Sequence, residues 1–343
     1  MKIVPSSVSA CTGSILGLCG LLTIGCADAQ SPPKKLEEKS KWSIERAAGQ
    51  WRIIGNLAAP ANISAIASLN GDQFLIGSDD LMFAQYGTID RESRTLRITG
   101  DVALLGGKGD DEIDIEGITS AQRDRQYFVT GSHSLTKKGN MNKERRSVFR
   151  VNVSASGAIT RKIDRATLRD VIERDSILNP FWEKAQQEGG INVEGLAWKN
   201  GSLFFGLRSP SIDANALVVQ VSASQLFNKG KVSHQLHRLP LGRGLGIREM
   251  VAIAEGFLIV AGNAGDEPTR EYPIPRDYIK DRAYDIFFWN GVDQTDWLTR
   301  LPRRSGRPEA ILVLDDSEAR TELLILWDGI VGGAPQHFVL SKT

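Results

Sequence analysis

The chain has 343 residues, with Lys+Arg 42 against Asp+Glu 41, a formal net charge of +1 and 41% apolar residues. Near-neutral charge without a long basic stretch excludes general nucleic-acid binding, which needs Lys and Arg gathered on one face. The apolar and aromatic content excludes a disordered chain, and the length admits one large all-β domain or two smaller ones.

Residues 1–29 read as a secretory signal peptide. Lys2 supplies the positive start, Ile15 to Ile24 an apolar core too short for a membrane span, and Ala27-Asp28-Ala29 the small-x-small pattern before cleavage. The expected address is periplasmic or secreted. A competing reading takes Leu22-Thr23-Ile24-Gly25-Cys26 as a lipobox and Cys26 as a lipid-anchored first residue, although Thr23 departs from the usual aliphatic residue. All three Cys (Cys11, Cys19 and Cys26) lie in this segment, so a chain cut after Ala29 has no disulfide, no thiolate metal site and no cysteine nucleophile. A polar connector is expected over residues 30–46, and the folded domain over 47–343.

Within that domain Gln50-Trp51-Arg52-Ile53-Ile54 reads as a strand without an assigned partner. Five similar segments follow: Asn62-Ile63-Ser64-Ala65-Ile66, Asp114-Ile115-Glu116-Gly117-Ile118, Asn192-Val193-Glu194-Gly195-Leu196, Gly246-Ile247-Arg248-Glu249-Met250 and Arg307-Pro308-Glu309-Ala310-Ile311. Each opens a strand. A second apolar strand, a polar turn and a third strand come after each, and a fourth strand can be placed in the first four units. The pattern predicts an all-β fold, a β-propeller of five four-stranded blades with six as the alternative, because radial repetition buries both faces of every blade and leaves few open edges. The fifth unit lacks a fourth strand, and Gln50 to Ile54 is the expected closure of the ring. One helical insertion is expected from Ala166 to about Gln187, broken at Asn179-Pro180. A second insertion, Gly265 to Arg282, carries three Pro and two Tyr.

In a propeller the starts of the innermost strands converge on one mouth of the central channel. The third aligned position reads Ser64, Glu116, Glu194, Arg248, Glu309, with Asn62, Asp114 and Asn192 at the first. Carboxylates that crowd one another need a cation or Arg partners to stay ionised. Calcium is the expected metal for Glu116, Glu194 and Glu309, since the ring offers oxygen and almost no sulfur or imidazole. The bland reading is that Glu caps backbone N–H groups and Gly permits tight blade packing, with Arg248 satisfying two carboxylates. The polar turns supply a second group, Asp79, Asp80, His133, Arg208, Asn263 and Asp328, in which His133 and Arg208 suit an anionic or phosphorylated ligand; singly, each also fits an ordinary turn.

Other motifs fail on spacing. His234 and His237 are three apart on a strand and point to opposite faces. The Gly-rich runs at 106–109 and 242–246 do not continue as phosphate loops, and neither a Gly-x-Ser-x-Gly elbow nor a His-Glu-x-x-His pair exists.

The ordered pieces Asp114-Ile115-Glu116-Gly117-Ile118, Thr130-Gly131-Ser132-His133-Ser134, Val193-Glu194-Gly195-Leu196-Ala197, Gly206-Leu207-Arg208-Ser209-Pro210 and Gly246-Ile247-Arg248-Glu249 resemble a bacterial family of unknown function, family 3616 of the domains of unknown function. The resemblance runs from about Ser64 to Leu340 and brings no established activity. More distantly, the recurrent Glu-Gly-Leu strands resemble exported propellers related to phytase-like esterases and calcium-bearing lactonases. That resemblance implies acidic ligands at Glu116, Glu194 and Glu309, while Ser64 and Arg248 interrupt the pattern.

Two readings follow. In the first, the protein is an exported binding propeller that holds a small polar or anionic molecule, or a protein loop, through Asp79, Asp114, Asn192, Arg248, Asn263 and Asp328 around the mouth. In the second it is a calcium-dependent hydrolase of a phosphoester, ester or lactone, with Glu116, Glu194 and Glu309 on the metal and His133 and Arg208 as the catalytic pair, His133 moving the proton.

Overall fold

Short apolar runs bounded by Gly and Asn become strands because they can be buried on both faces, and the repeats do so five times. The computed structural model describes residues 42–105, 112–136, 139–228, 230–281, 283–317 and 320–342. The leader and connector residues 30–41 lie outside the described residues. The first blade pairs Ile63–Leu69, Gln73–Ser78, Phe83–Asp90 and Thr95–Ala103 in antiparallel order. The second pairs Ile115–Ala121, Gln126–Gly131, Val148–Val153 and Ile159–Ala166. The third pairs Asn192–Lys199, Ser202–Ser209, Ala216–Ser222 and His234–Leu239. Leu245–Ile253, Gly256–Asn263, Asp285–Trp289 and Thr295–Arg300 make the fourth. Arg307–Asp316, Arg320–Asp328 and Gln336–Lys342 begin the fifth. The fold is a five-bladed β-propeller.

The closing strand differs from the expected one. Trp42–Arg46, in the stretch read as connector, pairs antiparallel with Gln336–Lys342 and completes the fifth blade. Arg52–Ile54 instead runs parallel to Thr95–Arg97 as an extra outer strand of the first blade. Both segments have strand composition, and the pairing is decided by the partner edge each meets. Trp42 is buried against Phe288, ring centroids 5.3 Å apart, and so ties the chain's first described strand to the fourth blade as well.

Five apolar clusters form the core, and each draws on two adjacent blades. Leu75 and Val129 share one, Phe128 and Phe205 the next, then Phe204 with Phe257, Leu258 with Ile325, and Leu324 with Phe74. The innermost strands are joined by polar links at their C-terminal ends. Ser68 Oγ donates to Val313 O at 2.9 Å, Ser120 Oγ to Ser68 O at 2.6 Å, and the Trp198 N–H to Thr119 Oγ1 at 3.0 Å. Lys199 Nζ donates to Ile253 O and Ala254 O, and the Ala254 N–H donates to Asp316. Every joint between neighbouring blades is therefore bridged at this end.

The helical insertion is shorter than expected: one α-helix, Arg169–Arg174, then 3-10 turns at Asn179–Phe181 and Gln186–Glu188. Asp175 ends the helix by accepting from the N–H groups of Ile177 and Leu178 at 2.8 and 3.0 Å, an alternative to continued helical bonding. The two insertions meet. The Arg276 N–H donates to Gln187 O at 2.7 Å, and the Arg276 guanidinium sits 5.0 Å from the Phe181 ring centroid. Among the described residues no helix is long and apolar enough to cross a membrane.

Candidate functional site

All five innermost strands carry a β-bulge at the same place. The strand ladder skips one residue between Ile63 and Ala65, Ile115 and Gly117, Val193 and Gly195, Ile247 and Glu249, and Pro308 and Ala310. The residues left out are Ser64, Glu116, Glu194, Arg248 and Glu309, the third aligned position of every repeat. A bulge re-aims its extra side chain, so residues up to 245 positions apart are turned toward one another at the same mouth of the channel.

Arg248 is the hub. It is 3% exposed; its Nε lies 3.0 Å from Glu194 Oε2 and its Nη2 donates to Glu309 Oε1. Burial alone would lower the Arg248 pKa, but Glu194 and Glu309 override it and hold the guanidinium protonated well above its ordinary range. Burial pushes the Glu194 carboxyl up, while Arg248 and then Arg208 pull it back. Arg208 Nη1 donates to Glu194 Oε1 at 3.1 Å and its Nη2 to Asp266 Oδ1 at 2.7 Å, which brings the second insertion to the ring. Asn192 Nδ2 donates to the same Glu194 oxygen at 3.2 Å. Arg307 Nε donates to Asp328 Oδ2 at 2.9 Å and lies 3.4 Å from Glu309 Oε1. Arg145 Nη1 donates to Asp114 Oδ2 at 2.7 Å and its Nη2 to Glu112 Oε2 at 2.9 Å. Ser64 donates to Ile115 O, and Asn62 Nδ2 to Asp80 Oδ2.

Carboxylates outnumber guanidinium groups here, and Glu116 and Asp79 have neither an ion pair nor a side-chain hydrogen bond among the described residues. Glu116 makes no hydrogen bond or ion pair among the described residues. Burial, then Glu194, Asp114, Glu309 and Asp79, drive its pKa well above the usual carboxylate range. Asp79 has its Oδ1 buried without a partner, and burial followed by Asp328, Asp80, Asp114 and Glu309 pushes it up to about 7. Asp328 is raised by burial and Glu309, against the pull of Arg307.

A folded-state carboxyl pKa raised above the unfolded value binds its proton more tightly when folded. The stability it permits at low pH is lost as pH rises through 3.8 to about 7. Asp79→Asn is therefore expected to leave melting unchanged near pH 4 and to raise it at pH 8, by roughly 2–4 °C after allowance for the partial exposure of the group. Scanning calorimetry at the two pH values checks this; an equal shift at both would show that proton binding at Asp79 is not the cause.

Two predicted residues stand apart. His133 is fully buried, its backbone in the left-handed region at φ 57°. The ring sits 6.4 Å from Trp182 with Nε2 3.2 Å from Thr130 Oγ1, and burial, then Arg146, lowers its pKa to about 3. Asn263 spends its side chain inside the second insertion, accepting from the Gly265 and Ile279 N–H groups and donating to Ile279 O, and meets the ring only through its backbone carbonyl, which accepts from Arg208 Nε at 3.3 Å. Asn192, Glu194, Arg208, Arg248, Glu309 and, through Arg307, Asp328 are joined by the contacts above, while Asp79, Asp114 and Glu116 act on one another through charge.

Glu249 went unread in the sequence. It is 2% exposed, its Oε1 accepts from the Met250 N–H at 2.7 Å, it also accepts from the Ile311 N–H, and burial first of all raises its pKa well above the ordinary value. The other repeats have Ala65, Gly117, Gly195 and Ala310 at this position. A Cβ on Gly117 would meet Leu196 at 2.7 Å, and one on Gly195 would meet Met250 at 2.9 Å, so the position faces the next blade's inner strand. The signal was the break in a run of small residues.

A cavity of about 650 Å³ lies at the opposite end of the inner strands, against Ser68, Thr119, Ser120, Trp198, Lys199 and Asp316. Those polar groups are engaged in the links between blades.

Residues 62–153 and 149–333 match the model of the family described as protein of unknown function (DUF3616), and the chain belongs to that family. No curated protein matches the sequence. Among solved structures the chain is similar to a candidate 6-phosphogluconolactonase from Bacteroides uniformis, at 11% identity over 82% of this chain and 88% of that one, TM-score 0.41. It is also similar to virginiamycin B lyase from Staphylococcus aureus, at 10% identity over 88% and 99%, TM-score 0.37, and to hydrazine synthase of Kuenenia stuttgartiensis, at 12% over 79% and 78%, TM-score 0.37.

Proposed function

We propose that this member of a family without known activity is an exported binding propeller, whose bulge-lined mouth holds a small polar molecule rich in N–H and O–H donors, or positively charged, against Glu116 and Asp79. The single observation that carries the reading is Glu116, the ring member left without a hydrogen bond or ion pair among the described residues. An anionic ligand is disfavoured at this mouth: Arg145, Arg208, Arg248 and Arg307 are each engaged by a carboxylate. The export part of the proposal rests on the leader pattern in residues 1–29.

The donor set does not fit calcium. Glu194 and Glu309 share Arg248, so a dication between them would face a fixed positive charge. Among the described residues no group of three or more His, Cys, Asp or Glu is arranged to hold a metal ion. His133, fully buried beside Trp182 with its pKa lowered by burial to about 3, is a weak base, which counts against the hydrolase reading. The test is a thermal-shift screen of amines, amino sugars and polyols on the wild-type protein, followed by calorimetry on Glu116→Ala. Hits are expected to bind Glu116→Ala roughly ten- to hundredfold more weakly, the worth of a charge-assisted hydrogen bond. Unchanged affinity in the variant removes the site, and a melting point raised by millimolar calcium and lowered by chelator restores the metal.

A further inference from the structure

Away from the ring, beneath the helical insertion, one charge is buried without a counter-charge. Arg146 is 5% exposed, and its guanidinium lies over the Trp182 ring with Cζ 3.7 Å from the centroid. Nη2 donates to Trp182 O at 2.8 Å, while Nε and Nη1 have no partner. Trp182 Nε1 is likewise buried and unpartnered, with the residue 3% exposed. No carboxylate among the described residues forms an ion pair with this group: Glu183 and then Glu173 act on it only at a distance, Glu173 is paired with Arg169 at 3.0 Å, and Arg169 adds repulsion. Burial first, then Arg169, brings the Arg146 pKa down to about 10, still protonated at neutral pH. The adjoining His133 is neutral and contributes no negative charge.

Arginine cannot escape this cost by losing its proton, and a ring face compensates a cation only in part. A buried unpaired charge is retained where something of opposite sign meets it. We infer that Arg146 holds a small inorganic anion of halide size between the second blade and the insertion, with Nε–H and Nη1–H as its donors. The depth of the group sets the size, since residues this buried admit an ion of a few atoms and not a metabolite. Held there, the anion fixes the insertion segment around Trp182 to the blade that carries Arg146. Water would satisfy the same donors but leave the charge unbalanced, and that difference makes the inference testable.

The experiment follows melting of the wild-type chain at constant ionic strength while gluconate is replaced by chloride. A ligand that binds only the folded state stabilises it logarithmically, so a rise of about 2 °C per tenfold chloride is expected once its dissociation constant is passed. Arg146→Met, which keeps the stack on Trp182, should melt independently of chloride. A wild-type melting point indifferent to chloride, or an equal chloride dependence in Arg146→Met, overturns the inference. Crystals grown with bromide provide a readout that needs no variant. An anomalous peak beside Arg146 supports the site, and density there without anomalous signal identifies a water and overturns it.

Discussion

Arg248→Met is expected to destabilise the fold by about 3–5 kcal/mol, the cost of removing one partner from a buried ion network. Among the described residues the arginine is the only cation that touches both Glu194 and Glu309, and it bridges the inner strands of the third and fifth blades. Without it two carboxylates, 2% and 5% exposed, keep among the described residues only Arg208 and Arg307 respectively as cations. On the scale of a chain this long the loss corresponds to a melting point lower by on the order of 10 °C. Its pH dependence gives a second check. Carboxyls deprived of a cation bind protons more tightly when folded than unfolded, so the deficit should shrink as pH falls and be largest above neutrality. Denaturant titrations at several pH values measure both. A deficit that does not vary with pH would mean that Arg248 acts through packing alone.

Trp42→Ala should cost a similar amount, about 3–5 kcal/mol, the range for truncating a buried aromatic. Trp42 is 7% exposed, packs on Phe288, and has Lys342 Nζ 5.7 Å from its ring centroid. The informative comparison is Ile53→Ala in the half-buried strand Arg52–Ile54, where only part of the side chain leaves water and about 1 kcal/mol is expected. If the two variants lost equal stability, the assignment of Trp42–Arg46 as the closing strand would be wrong. Circular dichroism melts of both proteins decide it.

The blade count was legible because it depends on local information: an apolar strand, a turn and another strand, repeated until the ring is full. The register of the repeats was legible too, which is why Glu116, Glu194, Arg248 and Glu309 share a ring. What the sequence left open depends on meetings between distant segments. Trp42-Ser43-Ile44-Glu45-Arg46 sits in a charged stretch and reads less like a strand than Trp51 to Ile54, yet only the former reaches the free edge of Gln336–Lys342. His133 looked like a polar turn residue; a left-handed backbone swings its ring inward, where burial removes its charge. The sequence displays these carboxylates without their partners, because Arg145 reaches Asp114 from a turn, Arg208 reaches Glu194 from the neighbouring strand, Arg307 turns to Asp328 across the blade, and Asp266 comes from an insertion. The bulges themselves leave no mark in the residue types, since Ser, Glu and Arg all occupy them.

The pairing of Trp42–Arg46 with Gln336–Lys342 also constrains how the molecule comes to be made. Ser43 Oγ donates to Ser341 O across 298 positions, so Trp42–Arg46 has no partner edge until Gln336–Lys342 is in place. The other four blades take their strands from near neighbours in sequence and can assemble without it, while the toroid stays open along one edge. Closure of the ring thus waits on a clasp whose two halves come from far-separated segments.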